Sequence, residues 1–264
     1  MNRYGLLLIL GCSLLFAAAP GACVRETAVG GVGIDEKLGG QVALDVTLKD
    51  EDGKDVTLRR LIDKPTILTL NYFRCIGICT PLLNGLTGML NQILIEPGRD
   101  FQVITVSFDP KDTPEIARQK RINYLNQMKR PFQPLAWHFL TGDAQATRKV
   151  ADSVGFNYRS DGDQFIHPGA IMVITAHGVV SRYMYGISFL PADVEMAVQE
   201  AAVGQVRPTI SKVLAFCYSY DPAGRRYVLS ITRVAGAAIL ALAGVFGVYL
   251  LAQGRSRKKA RLPE

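Results

Sequence analysis

The chain has 264 residues, a length sufficient for one sizeable core with extensions. Of these residues, 48% are hydrophobic and 20% are charged. Its net charge is +7, and the last twelve residues, with five basic side chains and Glu264, supply +4 of it. The remaining excess of +3 is too small to favour nucleic-acid binding. Five cysteines in a chain of this length argue against a disulfide scaffold.

Residues 1–22 are predicted to form a signal peptide. Arg3 precedes an uncharged run, 5–19, and small residues follow it. Fifteen residues are too few to span a bilayer comfortably but fit a signal-peptide core, with an uncleaved anchor as the alternative. Cleavage directly before Cys23 would allow lipidation of this cysteine, although Pro20 makes the lead-in a poor one. Export would place the mature domain where disulfides persist.

The C-terminal end carries a second membrane signal. Residues 234–251 form an uncharged run of 18 residues, which spans ~27 Å as a helix. A buried helix of a soluble protein is the alternative, but the basic flank favours a membrane helix over 231–252 with a cytoplasmic tail over 253–264. We therefore expect a single-pass protein of the cell membrane, with its domain on the outer, periplasmic side and a juxtamembrane segment over 206–230.

Between these signals, the glycine-rich residues 23–40 are predicted to be a flexible lead, and 41–205 to be the folded domain. Apolar or alternating runs predict strands over 42–48, 56–58, 66–73, 101–108, 137–140, 170–175 and 179–185. Amphipathic spacing and start signals predict helices over 80–95, from Asp112-Thr-Pro114 to 128, over 144–154 and over 191–203. This alternation predicts an α/β domain with a partly parallel central sheet, and its arrangement suits a thioredoxin-like fold.

Two cysteines, Cys75 and Cys79, stand at the corner between the strand 66–73 and the following helix. Residues i and i+4 share one face of a helix, so the two thiols can bind one soft metal ion or close into a disulfide. The start of a helix also lowers thiol pKa values and raises reactivity. The pair by itself leaves open a metal carrier, a redox enzyme and a structural bridge.

His167 is the third candidate residue of this site. In a thioredoxin-like sheet, the loop before the strand 170–175 lies beside the first strand–helix corner, so the imidazole is expected to face the cysteines. Two thiolates and one imidazole make a trigonal site that suits Cu(I) and is also usable by Cu(II), whereas zinc normally takes a fourth ligand. A lone histidine before a strand is otherwise more often structural. His138, inside an apolar strand, is predicted to be structural, and His177, in a turn, to be solvated.

These residues carry a family resemblance. The chain resembles the Sco/SenC family of copper-binding assembly factors of cytochrome c oxidase, over about 33–203. The motifs that carry it are 58–81 with its CxxxC, 106–114, 137–142, 155–158 and His167 before the hairpin.

The resemblance implies copper ligation by Cys75, Cys79 and His167, and a reversible Cys75–Cys79 disulfide. It also implies that Asp109 lies near the site and that the partner is the copper-bearing oxidase subunit, with other copper carriers as further partners. Ile76 and Thr80 stand at positions where the family usually has proline. Pro168 stands where the family often has serine. These departures alter the rigidity of the corner and leave the ligands intact. A subgroup with a C-terminal membrane helix shares the segment 217–222.

Three functions follow as alternatives. The first is a membrane-tethered copper chaperone for the CuA site, which is primarily a metallochaperone with possible thiol–disulfide reductase activity. The second is a general periplasmic thiol–disulfide oxidoreductase that needs no copper. The third, a peroxidase, is disfavoured because Leu68 and Tyr72 stand where peroxiredoxins have proline and threonine. Cys217 is predicted to be a small apolar residue, with a redox or metal role as the alternative.

Overall fold

The computed structural model describes residues 31–75, 77–207, 218–221 and 226–229, together with Leu242 and Phe246. The chain divides into two units, 1–207 and 208–264. The predicted signal peptide, Cys23, Cys217, the cytoplasmic tail and almost all of the predicted membrane helix lie outside the described residues. Among the residues that are described, no helix has the length and apolar character needed to cross a membrane.

The described strands are short, with two to six residues each. They are β1 (Gly33–Ile34), β2 (Thr47–Lys49), β3 (Asp55–Thr57), β4 (Thr66–Asn71), β5 (Gln102–Ser107), β6 (Trp137–Leu140), β7 (Phe156–Asn157), β8 (Arg159–Asp161), β9 (Gln164–Ile166), β10 (Ala170–Ile174), β11 (Val180–Tyr185), β12 (Tyr218–Asp221) and β13 (Arg226–Leu229). The α-helices with defined bounds are α1 (Leu58–Leu61), α2 (Cys79–Leu90), α3 (Pro114–Leu125), α4 (Ala144–Ser153) and α5 (Pro191–Ala202), and a short 3-10 helix covers Pro134–Ala136.

A five-stranded mixed sheet forms the centre of the first unit, in the order β11-β10-β4-β5-β6. β4, β5 and β6 run parallel, whereas β10 is antiparallel to both β4 and β11. All residues of β4, β5 and β10 are buried, as expected for strands covered on both faces. This is the mixed sheet that the alternation of strands and helices predicts.

Two hydrophobic clusters pack on the sheet. One contains Ile67 and Val103 and receives the buried faces of α2, α3 and α5. The other contains Leu68 and Ile104 and receives α1 and α4. Successive strand residues point to opposite faces, so a continuous apolar strand supplies both clusters.

Local signals explain where two of the helices begin. The Thr113 side chain accepts a hydrogen bond from the Ile116 N–H, and Pro114 occupies the first turn of α3. The Asp143 carboxylate accepts from the Ala146 N–H at 2.7 Å and caps α4. The predicted helix starts near Pro114 and Ala144 are therefore confirmed.

The segment before β2 differs from the prediction of a flexible lead over 23–40. β1 pairs with β7, the Asp35 N–H donates to the Gly155 carbonyl at 2.9 Å, and the Gly39 N–H donates to the Val180 carbonyl at 2.9 Å. From Gly33 onward the segment is therefore hydrogen bonded to the domain. Glycine content indicated flexibility, but backbone partners supplied by distant strands bind this segment.

Two hairpins accompany the sheet. β2 and β3 form the predicted hairpin, although β2 starts at Thr47 rather than at 42. β8 and β9 form a second hairpin, Arg159 to Ile166, that no pattern in the sequence predicts. β9 ends one residue before His167, so this hairpin bears on the candidate site. In the second unit, β12 and β13 pair antiparallel, with Tyr218 opposite Leu229.

Candidate metal centre

Cys75 and Cys79 lie at the C-terminal end of β4, where the chain turns into α2. The Cys75 N–H donates to the Tyr72 carbonyl at 3.4 Å, and α2 begins at Cys79. Cys75 therefore precedes the helix, and the prediction that the pair shares one helical face is wrong. The turn between Tyr72 and Cys79 brings the two thiols together instead.

His167 precedes β10, the strand that pairs with β4, and is buried. Its Nε2 lies 3.2 Å from the Cys79 Sγ, and its Nδ1 lies 3.0 Å from the Pro168 carbonyl oxygen. A carbonyl oxygen can only accept, so in the neutral ring Nδ1 carries the donated proton and Nε2 carries the lone pair. This arrangement leaves Nε2 as the nitrogen available to a metal ion.

The structure brings the three predicted residues into one group. One donor atom from each of Cys75, Cys79 and His167 lies within 4.8 Å of the others. His138 lies elsewhere, 3.8 Å from the Glu51 carboxylate, and His177 is exposed in the turn before β11. Within the described part of the chain, no further histidine, cysteine or carboxylate joins these three residues as a fourth ligand. The site thus offers two sulfurs and one nitrogen.

The two thiols have opposite electrostatic environments. A hydrogen bond from the Cys79 side chain lowers the pKa of Cys75 to about 4, helped by the backbone N–H groups of Cys79 and Gly77 and by the Tyr72 hydroxyl. The Gly77 N–H lies 3.2 Å from the Cys75 Sγ. Burial raises the pKa of Cys79 well above its ordinary value, and the neighbouring Cys75 raises it further.

The site therefore holds one thiolate and one thiol at neutral pH. The lowered pKa expected at the start of the helix falls on Cys75, which receives the helical N–H without belonging to the helix. A metal ion that binds both sulfurs has to displace the proton of Cys79.

Aromatic rings surround the imidazole. Phe108 and Tyr72 meet the His167 ring edge-on, with centroids 5.3 and 5.8 Å away, and Phe156 lies 6.1 Å away. Phe165 packs against both Phe108 and Tyr72. These rings restrict the orientation of the imidazole and keep water from its buried side. On the solvent side, Gly77 and Ile78 are exposed and leave access to the sulfurs.

Asp109 does not belong to the Cys-Cys-His group but binds Arg74, the residue next to this group in the chain. Its Oδ2 accepts from the Arg74 Nη2 at 2.6 Å, and Arg74 directly precedes Cys75. Asp112 accepts from the Arg74 Nε at 3.1 Å and from the Phe73 N–H and the Ser107 hydroxyl, each at 2.6 Å. Both carboxylates are buried, so they hold the backbone and the arginine that lead into the cysteine turn.

Sequence reasoning assigned no such role to Asp112 or Tyr72. The sequence predicts that Asp112 is part of a helix start, but Thr113 caps α3, and the Asp112 carboxylate binds the preceding turn. Tyr72 has its ring in the core and its hydroxyl bonded at 2.8 Å to the Gln164 side chain. Burial and the bond to Cys75 raise the pKa of Tyr72 to about 12. Its position three residues before Cys75 is the feature of the sequence that points to this role.

Comparison with known proteins assigns a family. The SCO1/SenC family model matches residues 35–201. A candidate electron transfer protein from Aquifex aeolicus VF5 is 29% identical, with a TM-score of 0.57, and the match covers 63% of this chain and 95% of that chain. A candidate electron transport protein from the same organism is 28% identical, with a TM-score of 0.54 and coverages of 63% and 99%.

ScoI of Arabidopsis thaliana, solved with copper bound, shares the fold at 24% identity, with a TM-score of 0.50 and coverages of 62% and 97%. A search of curated proteins gave no match. The family model spans more than half of the chain, and the mixed sheet and the Cys-Cys-His group agree with it. The chain therefore belongs to the SCO1/SenC family.

Proposed function

We propose that this protein carries copper on Cys75, Cys79 and His167 and delivers it to the copper-bearing subunit of cytochrome c oxidase. The observation that carries the proposal is the group of two sulfurs and one imidazole nitrogen within 4.8 Å. Thiolates are soft ligands that favour Cu(I), and imidazole also suits copper. With no fourth protein ligand among the described residues, the site suits a three-coordinate ion better than tetrahedral zinc.

The same geometry supports transfer. Cys75 is half-buried and its neighbours Gly77 and Ile78 are exposed, so a thiolate of a partner can approach the ion from that side. An ion with three ligands accepts such an incoming ligand before it loses one of its own. Copper is the cargo in this scheme, and the protein keeps its ligands after transfer.

Membrane attachment is part of the proposal and rests on the sequence. The apolar run 234–251 and the basic residues after it favour a tether that leaves the domain outside. A tether beside a membrane-embedded oxidase raises the effective concentration of the two partners, so that weak docking suffices.

Copper titration of the purified chain tests the proposal. His167→Ala should weaken Cu(II) binding sharply and change the thiolate-to-copper absorption, because it removes the nitrogen that faces Cys79. His177→Ala is the matched control, since His177 is exposed and lies outside the group. Wild-type affinity and an unchanged spectrum in His167→Ala would exclude His167 as a ligand.

Thiol–disulfide exchange is the second candidate function, and the lowered pKa of Cys75 favours it. The Cys75 thiolate would attack a partner's disulfide, form a mixed disulfide and release one partner thiolate. Cys79, on losing its proton, would then attack the Cys75 sulfur and release the second partner thiol. The partner gains two electrons and this protein is left with a Cys75–Cys79 disulfide, which an external dithiol must reduce.

A deletion strain separates the two functions. Loss of a copper carrier should lower the amount of assembled CuA-type oxidase, and added copper should partly restore it. Loss of a thiol reductase should respond to added reductant and not to copper. Normal oxidase at low copper, in a strain without a second copy of the gene, would contradict both.

A further inference from the structure

The Tyr72 hydroxyl connects the two segments that carry the metal-binding groups. Tyr72 follows β4 directly and stands three residues before Cys75. Its hydroxyl donates to the Gln164 Oε1 at 2.8 Å and accepts from the Phe165 N–H at 3.4 Å.

His167 lies between the hairpin β8–β9, which ends at Ile166, and β10, which begins at Ala170. This hairpin forms its own two-stranded sheet, separate from the five-stranded sheet that ends in the cysteine turn. Gln164 and Phe165 lie in β9, and His167 directly follows that strand. A bond to β9 therefore restrains the imidazole over a very short length of backbone.

Other contacts between the hairpin and the rest of the domain are less directional. Phe165 packs against Phe108 at 5.5 Å between centroids, a contact that resists separation but tolerates sliding. The ion pair between Lys111 and Asp163, at 3.2 Å, is exposed, and pairs of this kind contribute little. Tyr72 is a buried residue, and its hydroxyl binds both a side chain and a backbone group of β9. These two bonds fix where β9 lies along the cysteine turn as well as how close it is.

We propose that Tyr72 is a positioning residue of the copper site: its hydroxyl holds the hairpin β8–β9 at the distance from the cysteine turn that lets His167 complete the coordination. The identity of the metal rests on the proposed function, whereas the hydrogen bonds between Tyr72 and β9 are present in the metal-free protein. Tyr72 contributes no ligand atom and acts through Gln164 and Phe165.

Tyr72→Phe tests the proposal, because phenylalanine keeps the ring packing against Phe165 and His167 and removes the hydroxyl alone. Cu(II) affinity should fall about tenfold, which corresponds to the loss of one buried hydrogen bond. The thiolate-to-copper absorption should shift toward that of His167→Ala. In the metal-free protein, amide hydrogen exchange at Phe165 and His167 should become faster.

Tyr183→Phe is the matched control. Tyr183 is also a buried tyrosine whose hydroxyl makes two hydrogen bonds, accepting from the Lys37 N–H at 2.9 Å and donating to the Val154 carbonyl at 2.8 Å. Neither bond involves the cysteine turn or the hairpin β8–β9. It should lose stability while keeping the wild-type copper spectrum. Gln164→Ala, which removes the acceptor and keeps Tyr72, should change the spectrum in the same direction as Tyr72→Phe by a smaller amount.

A wild-type spectrum together with unchanged exchange in Tyr72→Phe would overturn the proposal, as would an equal spectral change in Tyr183→Phe. If the wild-type protein binds no copper, the proposed function fails. The comparison of amide exchange between Tyr72→Phe and Tyr183→Phe then shows, without copper, whether the Tyr72 hydroxyl holds the hairpin β8–β9 in place.

Discussion

The Nε2 atom of His167 lies 3.2 Å from the Sγ atom of Cys79, although 88 positions separate the two residues in the chain. The sheet topology explains this distance. β10 runs antiparallel to β4, with Ile171 opposite Thr69, so the start of β10 lies beside the end of β4. His167 precedes β10 and the cysteines follow β4, so the two loops meet at the same end of the sheet.

Cys75 should react with iodoacetamide as a thiolate over most of the accessible pH range. Its pKa is lowered to about 4, so the thiolate is present above this pH and is lost as the pH falls through it. The alkylation rate of the metal-free protein, followed by mass measurement, should therefore be nearly flat between pH 6 and 8. A rate that rises about tenfold per pH unit over this interval would indicate an ordinary thiol, whose pKa is about 8.5.

Cys79→Ala is the informative variant for this profile. The Cys79 side chain is the main cause of the lowered pKa of Cys75, so its removal should move the midpoint of the profile upward, toward the ordinary value. Cys79 itself should remain unmodified in the folded wild-type protein because it is 2% exposed.

Asp112→Asn should destabilise the domain by about 3 kcal/mol, because it leaves Arg74 and the buried N–H of Phe73 with weaker partners. Urea unfolding measures the change. Asp163→Asn is the control, since its ion pair with Lys111 is exposed and should be worth less than about 1 kcal/mol. Equal losses in the two variants would show that the buried network does not stabilise the cysteine turn.

Gly155→Ala should destabilise the domain by about 3 kcal/mol or more. Gly155 has φ of 65°, and an added Cβ would lie 1.9 Å from the Asp35 carbonyl oxygen. Gly162→Ala shares the left-handed backbone, with φ of 62°, but meets no atom within 4 Å and should cost about 1 kcal/mol. Thermal unfolding should rank the two accordingly, and the reverse order would contradict the close approach of the segment before β2 to the domain.

A reporter that is active only in the cytoplasm, fused after Glu264, should be active. The expectation follows from the uncharged run 234–251 and the five basic residues that come after it. A periplasmic reporter fused at the same place should be silent. The opposite pair of results would overturn the predicted topology.

Much of the first unit follows from local patterns. The buried strands β4, β5 and β10 and the helices α3 and α4 appear where apolar runs and start signals predict them, because those signals act over a few residues. The hairpin β8–β9 escaped prediction because its strands, Arg159–Asp161 and Gln164–Ile166, are short and largely polar. The anchoring of β1 escaped it because β1 spans two residues and its partner β7 lies more than 120 positions later.

The sequence by itself determined the chemistry available to the site, two thiols and one imidazole, because residue identity decides which ligands a chain can offer. The tertiary structure alone decided how these groups differ. It placed Cys75 before the helix as a thiolate and buried Cys79 as a thiol. It also placed Asp112 and Tyr72 behind the cysteine turn, since such contacts depend on distances between segments that no local pattern encodes.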